Sequence, residues 1–352
     1  MSKVRFATIG RSGIAERFLD AVARTSCAEF AAAYSRNLDD AHAFATAHGA
    51  RLAFSSLDEL AACAEVDAVY VASPDFLHAS QALAMIAGKK HVLVEKSFGS
   101  CEREVTAVFD AAHEQGVVAM EAMRNIHGPG FGAVHERMGR IGQPRLSTFR
   151  FSKVTSRIER LRAGERVGVF DPRMSRGALM DIGVYCVEPA VALFGRPASV
   201  VATGITAPVP GCEDGDPYDT IDLAGEAILG YGSHLVNLSW GKVSDEHLPS
   251  QIQGELGTIC FEPTANPREV TLHVHEDKGM VFDVRADEGE CLEVDIPGND
   301  MVFEVEDFCR AVQGDDCARE RVSRYEQATR DAAWVMGEIR RQMGVRFPAD
   351  DA

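Results

Sequence analysis

Apolar and polar residues alternate in short blocks along the first 122 residues, and the blocks predict strands and helices in turn. Apolar runs of strand length are each followed by a segment whose apolar residues recur at the spacing of an amphipathic helix. The predicted strands are 3–9, 29–34, 51–54, 67–73, 90–94 and 117–122. Because strand and helix alternate at short spacing, the pattern predicts an α/β unit with a doubly wound parallel sheet of the Rossmann type.

Beyond Ala122 the pattern changes to strand-like segments joined by short turns, with few helices. Strands are predicted at 145–153, 199–205, 220–229, 234–240, 251–261, 269–275 and 280–284, and helices from about 130, at 303–312 and at 323–343. Short turns favour antiparallel neighbours. The sequence therefore predicts two domains, 1–122 and 123–352, the second being α+β with a broad, mostly antiparallel open sheet. His273 and His275 alternate with apolar residues and indicate a solvated strand face.

One helical segment, 177–195, carries a carboxylate and a phenol among apolar residues. Asp181 and Tyr185 are four positions apart, so both side chains lie on one helix face. Pro189 lacks a donor and crowds the carbonyl of Tyr185, which predicts a kink or restart of the helix there. The alternative for Asp181 is a capping or core carboxylate, and for Tyr185 a packing tyrosine.

Charge and cysteine usage exclude several classes of partner. The net charge of -17 lacks the basic footprint that nucleic acid or an anionic membrane requires. No apolar run approaches the ~20 residues of a membrane span, and the first residues enter a strand without the pattern of a signal peptide. The nine cysteines are scattered, with no C-x-x-C pair. These features predict a cytoplasmic protein with reduced thiols and no metal site.

The first strand leads into a glycine-bearing turn before a helix that begins near Ile14. Gly10, Ser12 and Ala15 occupy the positions of the dinucleotide fingerprint G-x-G-x-x-G/A. Ser12 replaces the middle glycine, and we expect Gly13 to permit the close approach of the diphosphate instead. The free N–H groups of the helix N-terminus would bind that diphosphate. The alternative is a turn that binds no ligand.

The end of the second strand indicates which dinucleotide is bound. An NAD site places an acid here to bind the ribose 2′-hydroxyl, but Ser35 and Arg36 stand at this position. Arg36 can pair with a 2′-phosphate and stack on adenine. The sequence therefore predicts NADP, with NAD the less favoured cofactor. The alternative for Arg36 is an ordinary surface arginine.

The fourth and fifth strands end in further candidate contacts. Ser73 and Pro74 follow the fourth strand, where the nicotinamide ribose is expected, and His78 lies in the first turn of the next helix. The alternative for His78 is a helix-terminal histidine without a ligand. Glu95 and Lys96 follow the fifth strand. We expect Glu95 to hold Lys96 or to contact the nicotinamide ribose, and the alternative for Lys96 is a surface lysine.

Three motifs together resemble the Gfo/Idh/MocA family of nicotinamide-dependent oxidoreductases, along nearly the whole chain. They are the turn 10–15, the segment 92–98 (VLVEKSF), which is similar to the family's Glu-Lys-Pro motif, and the segment 177–195. The tyrosine at 185, where most members have histidine, and the Ser35–Arg36 pair resemble the glucose–fructose oxidoreductase and dimeric dihydrodiol dehydrogenase branches. That resemblance implies NADP.

Two positions depart from the family pattern. Ser97 stands where the family has proline, and Ile126 stands where the family usually has arginine. Arg124 is nearby, but the resemblance does not assign it the arginine's role.

Hydride transfer to or from nicotinamide requires that a proton leave or join the substrate oxygen. A phenol with a pKa near ~10 is a weak base at pH 7, and a neighbouring ammonium favours its phenolate form. We therefore predict that Tyr185 exchanges the proton as general acid/base. Lys96 would polarise the substrate oxygen, and Asp181 would orient a hydroxyl group.

The sequence thus predicts an NADP(H)-dependent oxidoreductase acting on an alcohol or carbonyl of a sugar, polyol or trans-dihydrodiol. The alternative is a non-catalytic NADP(H)-binding sensor or scaffold, which would need none of the three predicted catalytic residues. A broad sheet with one uncovered face predicts a homodimer or a dimer of dimers. We also expect the polar segment 164–174 to fold over the site.

Overall fold

The N-terminal part of the chain forms a six-stranded parallel sheet in a computed structural model that describes residues 2–275 and 289–351. Its strands are β1 Val4–Ile9, β2 Ala28–Tyr34, β3 Leu52–Phe54, β4 Ala68–Val71, β5 His91–Glu95 and β6 Ala119–Ala122. The connecting helices are α1 Gly13–Arg24, α2 Leu38–Ala47, α3 Leu57–Ala62, α4 His78–Ala87 and α5 Glu102–Gln115. The strand order is β3-β2-β1-β4-β5-β6, which confirms the doubly wound prediction. The order reverses between β1 and β4, where such sheets form a ligand crevice.

Local signals in this part place the elements where the sequence predicts them. All four residues of β4 are buried, as its unbroken apolar run requires. Asn37 begins α2, because its side chain accepts hydrogen bonds from the backbone N–H groups of Asp39 and Asp40. Ser56 caps α3 by accepting from the N–H of Glu59. These caps satisfy donors that the first helical turn leaves free.

The second sheet has eight strands in the order β14-β13-β12-β11-β7-β10-β9-β8. The strands are β7 Pro144–Ser152, β8 Ser199–Pro208, β9 Thr220–Gly230, β10 Leu235–Gly241, β11 Ser250–Gly254, β12 Gly257–Glu262, β13 Glu269–Val274 and β14 Glu290–Glu293. Neighbours are antiparallel except for β7 and β10, which are parallel. The broad, mostly antiparallel sheet of the prediction is confirmed.

Two strand predictions in this sheet are wrong. The single strand predicted at 251–261 is a hairpin of β11 and β12, which turns at Glu255 and Leu256. The alternation of polar and apolar residues continues through the turn and hides it. β14 was not predicted, because its residues are all exposed and show no apolar alternation. The predicted strand 280–284 lies outside the described residues.

The remaining helices pack between and beside the sheets. They are α6 Arg124–His127, α7 Pro129–Arg137, α8 Ile158–Arg162, α9 Val184–Phe194, α10 Met301–Val312 and α11 Asp316–Met343. α9 and α11 cover one face of the second sheet, while α10 packs on α1 and adds Met301 and Phe308 to the core of the first sheet. The division of the chain at residue 122 stays a prediction. α11 begins earlier than predicted, because Asp315 caps a charged first turn that has no apolar periodicity.

The predicted irregularity in 177–195 exists but lies one turn earlier than predicted. Residues Leu179–Gly183 form a π-helical turn that leads into α9, and Pro189 lies inside α9. The carbonyl of Tyr185, which Pro189 cannot bond, accepts instead from the side-chain amide of Asn125 at 3.4 Å. This bond lets the helix continue past the proline.

The sequence contains a longer apolar stretch than expected. Among the described residues, Pro172–Phe194 is long and apolar enough to cross a membrane, with a mean hydropathy of 1.5 over its most apolar window. However, 72% of that window is buried inside the protein. The expectation that no run approaches this length was therefore wrong, and the stretch is a core helix.

Candidate active site

Two adjoining cavities lie at the carboxyl ends of β1, β4 and β5. The smaller has a volume of about 300 Å³ and the larger about 620 Å³. Their walls have four residues in common, namely Ser12, Ala72, Ser73 and Arg176. A cleft that continues from the strand-order reversal across the sheet edge has the shape that an extended two-part ligand requires.

The larger cavity contains one end of the predicted dinucleotide site. Gly10, Ser35, Arg36 and Pro74 line it together with Ser12 and Ser73. Gly10 has a φ of 113°, and a Cβ there would lie 2.4 Å from the carbonyl oxygen of Ala72. Only glycine allows this close approach of the first turn to the end of β4.

The N-terminus of α1 fits an anionic group. The side chain of Ser12, the N-cap, makes no capping hydrogen bond, so it leaves backbone N–H groups of the first turn free. A Cβ at Gly13 would meet no described atom within 4 Å, so the space above the helix end stays open. The hydroxyl of Ser73 is buried and has no hydrogen-bond partner among the described residues. Gly13 itself is the one predicted cofactor residue outside both cavity walls.

Arg36 lies exposed at the far end of the larger cavity. Within residues 2–275 and 289–351 no acid forms an ion pair with it, whereas the neighbouring Arg11 pairs with Asp40 at 2.8 Å. The guanidinium of Arg36 is therefore available to a phosphate.

Lys96, Asp181 and Tyr185 meet in the wall of the smaller cavity. The Lys96 ammonium donates at 3.0 Å both to Oδ1 of Asp181 and to the Asp181 backbone carbonyl. It lies 5.4 Å from the centre of the Tyr185 ring. Residues that are 85 positions apart in sequence are thus brought together by the docking of the π-helical turn against the end of β5.

Asp181 has a second lysine partner that the sequence analysis missed. Lys242 follows β10, is buried, and donates to Oδ2 of Asp181. Burial alone would raise the pKa of Asp181, but the two ammonium groups outweigh it and hold that pKa below its usual range. Burial likewise lowers the pKa of Lys96, and Asp181 and Tyr185 more than reverse this, so the lysine stays charged.

The backbone of the π-helical turn is held by a residue of the second sheet and by a residue that follows β5 of the first sheet. Oδ2 of Asp222 accepts the Leu179 N–H at 2.6 Å and the indole N–H of Trp240 at 3.3 Å. The Ser97 hydroxyl donates to the carbonyl of Met180 at 3.1 Å. The peptide bond between Lys96 and Ser97 is cis. A turn with widened hydrogen bonding often marks a functional site, and here it directs Asp181 toward Lys96.

The Tyr185 hydroxyl lies beside a guanidinium group. Nε of Arg124 is 3.5 Å from this hydroxyl, and the same guanidinium bonds Asp300 at 2.7 Å. The ring of Tyr185 packs edge-on against Phe151 at 5.7 Å. Arg124, which sequence reasoning left unassigned, therefore contacts the predicted acid/base, while Ile126 is buried.

His78 and Glu95 line the smaller cavity but are already engaged. Nδ1 and Nε2 of His78 lie 2.8 and 2.9 Å from the carbonyl oxygens of Ser97 and Ser73, so the ring links the two loops. Glu95 accepts from the Tyr70 hydroxyl. Burial raises the pKa of Glu95, although Tyr70 and Lys96 act in the opposite direction.

Further charged groups complete the smaller cavity. Arg176 bonds Oδ1 of Asp75 through two nitrogens, at 2.6 and 2.9 Å. Asp75 was not predicted, and Arg176 ends the segment 157–176 that the sequence suggested as a source of pocket-lining residues. Neither residue was singled out, since nothing local distinguishes it from a surface charge. Met174 reaches the larger cavity, but Val169 and Phe170 of the segment expected to cover the site are buried in the core. Part of the segment 164–174 therefore belongs to the core and does not form a polar loop over the site.

The described residues contain no cluster of three metal-ligating side chains, and all nine cysteines are free. His273 is partly buried and His275 is exposed.

The parallel sheet, the crevice at its strand-order reversal and the Lys–Asp–Tyr group define the class of nucleotide-binding α/β oxidoreductases. Residues 4–123 match the model of an oxidoreductase family with an NAD-binding Rossmann fold, and residues 137–260 match the C-terminal domain model of the same family. The chain belongs to the Gfo/Idh/MocA oxidoreductase family, as its motifs predicted.

The chain can be aligned with known proteins over 90% or more of its length. It is 36% identical over 349 residues to the scyllo-inositol 2-dehydrogenase (NADP(+)) IolU of Bacillus subtilis strain 168, covering 99% of this chain and 100% of that protein. It is 26% identical over 327 residues to a trans-1,2-dihydrobenzene-1,2-diol dehydrogenase of Danio rerio, covering 90% and 89%. An NAD binding oxidoreductase of Klebsiella pneumoniae is 20% identical and superposes with a TM-score of 0.79 over 97% of each chain, which shows a common fold.

Proposed function

We propose that this protein is an NADP(H)-dependent dehydrogenase or reductase that acts on a hydroxyl or carbonyl group of a sugar, a polyol or a trans-dihydrodiol. The observation that carries the proposal is the meeting of Lys96, Asp181 and Tyr185 in a cavity that opens into a dinucleotide-sized cleft. A sensor or scaffold that only binds the cofactor would not need a charged lysine beside a phenol. The two relatives described above, an inositol dehydrogenase and a dihydrodiol dehydrogenase, belong to the same class of enzyme and support the proposal.

NADP fits the larger cavity better than NAD. Arg36 and Ser35 line it, and no acid follows β2 where an NAD site requires one. Ser12 and Ser73 line the part of the cleft suited to the diphosphate and the adjoining ribose. The similar inositol dehydrogenase is named as using NADP(+).

The bound nicotinamide would supply or accept hydride. In our proposal the residues of this chain manage the accompanying proton and the charge on the substrate oxygen. Tyr185 takes the hydroxyl proton during oxidation and returns it during reduction. Lys96 stabilises negative charge on the substrate oxygen. Asp181 keeps the ammonium group of Lys96 directed into the cavity, since both of its own oxygens are occupied by lysines.

The smaller cavity suits a polyhydroxylated substrate. Its wall combines cations and anions, including Lys96, Arg124, Arg176, Asp75 and Asp181, within about 300 Å³. Several fixed donors and acceptors in a small volume favour a ligand that carries several hydroxyl groups over an apolar one.

Reduction of NADP+ by a panel of inositols, aldoses and trans-dihydrodiols tests the function. We expect turnover by the wild type with at least one panel member, and none by Lys96→Ala. NADPH binding, measured separately by the fluorescence of the cofactor, should persist in the variant. Lys3→Ala, at an exposed lysine, is the matched control. Tight NADPH binding without turnover of any substrate would favour the sensor instead.

We further propose a homodimer, or a dimer of such dimers, assembled through the outer face of the second sheet, in the cytoplasm. The face opposite α9 and α11 carries exposed apolar side chains such as Val201 and Ile228, which are neighbours on β8 and β9. A second copy of this face would cover them. In this proposal, residues 1–122 bind the cofactor, while residues 123–352 bind the substrate and form the dimer.

A further inference from the structure

Glu304 is a buried carboxyl group in the wall of the smaller cavity that none of the roles above uses. It lies on α10, has no exposed surface, and both side-chain oxygens lack a hydrogen-bond partner among residues 2–275 and 289–351. A buried polar group without a hydrogen-bond partner destabilises the protein that holds it. Such a group, placed in the wall of a cavity, is suited to a ligand that supplies the missing partners.

The surroundings favour the neutral form of this carboxyl group. Burial first, and then the charge of Glu95, raise the pKa of Glu304 well above its usual value, although Arg124 acts in the opposite direction. A neutral carboxylic acid carries one O–H donor and one carbonyl acceptor on the same planar group. Its complement is a planar group with one acceptor and one N–H donor side by side, which is a primary carboxamide.

We propose that Glu304 recognises the carboxamide of the nicotinamide ring through a pair of hydrogen bonds and so selects the orientation of the ring in the cavity. This inference rests on the proposed use of NADP(H). Glu304 lines this cavity together with Lys96 and Tyr185. A ring held by its carboxamide would have a defined face toward the residues that handle the proton. Glu304 is in this role a cofactor-binding residue.

The direct test compares two ligands by isothermal titration calorimetry. NADP+ contains the nicotinamide, whereas 2′-phospho-ADP-ribose lacks it and retains the rest of the cofactor. We expect Glu304→Leu to weaken NADP+ binding by tenfold or more and to leave the affinity for 2′-phospho-ADP-ribose within twofold of the wild type. Glu304→Gln, which keeps a donor and an acceptor, should recover most of the affinity for NADP+.

A second probe is the 3-acetylpyridine analogue of NADP+, in which a methyl ketone replaces the carboxamide and only the acceptor remains. The wild type should bind it less tightly than NADP+, and Glu304→Leu should bind the two equally. The inference is overturned if Glu304→Leu leaves NADP+ affinity unchanged, or if it weakens both ligands alike, since the latter indicates a packing role. A wild type that binds neither NADP+ nor 2′-phospho-ADP-ribose would overturn the proposed cofactor as well, so the two failures are distinguishable.

Discussion

At the scale of single residues, the two lysines on Asp181 determine what the predicted catalytic residues can do. Lys96 and Lys242 each occupy one carboxylate oxygen. Asp181 therefore has less freedom to orient a substrate hydroxyl than the sequence analysis assumed, and its main effect is to hold Lys96. The Tyr185 hydroxyl, by contrast, makes one long contact to Arg124 and remains accessible to a substrate.

Tyr185→Phe removes the hydroxyl and keeps the ring that packs on Phe151. We expect turnover to fall by roughly 10²–10⁴, the usual contribution of general acid/base catalysis, while NADPH affinity stays within twofold. Steady-state rates at saturating substrate and a separate cofactor titration measure the two effects. A variant that keeps more than half the wild-type turnover, with chemistry rate-limiting, would show that Tyr185 only packs.

Arg36→Ala removes the cation available to a 2′-phosphate. The wild type should bind NADPH at least about tenfold more tightly than NADH, a difference of about 1.4 kcal/mol, and the variant should narrow that ratio. Arg51→Ala, whose side chain is 88% exposed and outside both cavities, is the matched control. Equal affinities of the wild type for the two cofactors would contradict the assignment.

At the scale of elements, α9 carries a predicted site residue and a buried structural carboxyl group three positions apart, Tyr185 and Glu188. Glu188 on α9 is fully buried. The Thr329 hydroxyl lies within hydrogen-bond distance of carboxylate oxygens of both Glu188 and Glu121, and Glu121 also accepts from the Phe98 N–H. Burial first, and then the adjacent Glu121, raise the pKa of Glu188 well above its usual value. The contact of α9 with α11 and with Glu121 of β6 therefore favours the protonated form of the Glu188 carboxyl group.

The stability of this packing should depend on pH with a known sign. A carboxyl group whose folded pKa exceeds its unfolded value binds more protons in the native state, so its contribution to stability is present below about pH 4.3 and falls as pH rises. Glu188→Gln cannot ionise and keeps the acceptor for Thr329. Its free energy of unfolding should exceed that of the wild type by about 1–3 kcal/mol at pH 8, and the gap should shrink toward pH 5.

Urea unfolding across that pH range measures the difference. Glu320→Gln on α11, where the side chain is 79% exposed, provides the control and should change stability by less than about 0.5 kcal/mol at every pH. A gap for Glu188→Gln that grows as pH falls would contradict the protonation argument.

At the scale of the whole molecule, we propose that the outer face of the second sheet forms the interface between two copies of the chain. Val201 and Ile228 are 66% and 47% exposed and lie side by side on neighbouring strands of this face. We expect the wild type to have twice the 38.2 kDa chain mass, or four times, by light scattering at micromolar concentration. Replacing both residues with aspartate should yield monomers, because two charged faces would repel.

The control for assembly is the substitution Leu38→Asp. Leu38 is an exposed apolar residue on α2 and belongs to no strand of the second sheet. This change should leave the mass unaltered. A wild type that is monomeric at micromolar concentration would exclude the dimer, and a dimer that survives both aspartates would place the interface elsewhere.

Much of the fold could be predicted because its signals are local. Buried strands such as β4, the cap at Asn37 and the glycine required at Gly10 each follow from a few neighbouring residues. The elements that were missed or misplaced lack such signals. All residues of β14 are exposed, so it has no buried face to predict it. The π-helical turn within 177–195 is held by hydrogen bonds to Asp222 and Ser97, and Pro189 lies outside that turn.

The same distinction holds for the site. The sequence by itself predicted Lys96, Asp181 and Tyr185 as catalytic residues, since each lies in a motif whose spacing is informative, and the structure brings all three to the wall of one cavity. Only the tertiary structure showed Lys242 on Asp181 and Arg124 on Tyr185, in both cases across 61 positions of the chain. Periodicity indicates which face of an element is buried, but not which distant charge will lie against it. That partner is determined by how the two sheets and the π-helical turn pack together, and no local pattern encodes it.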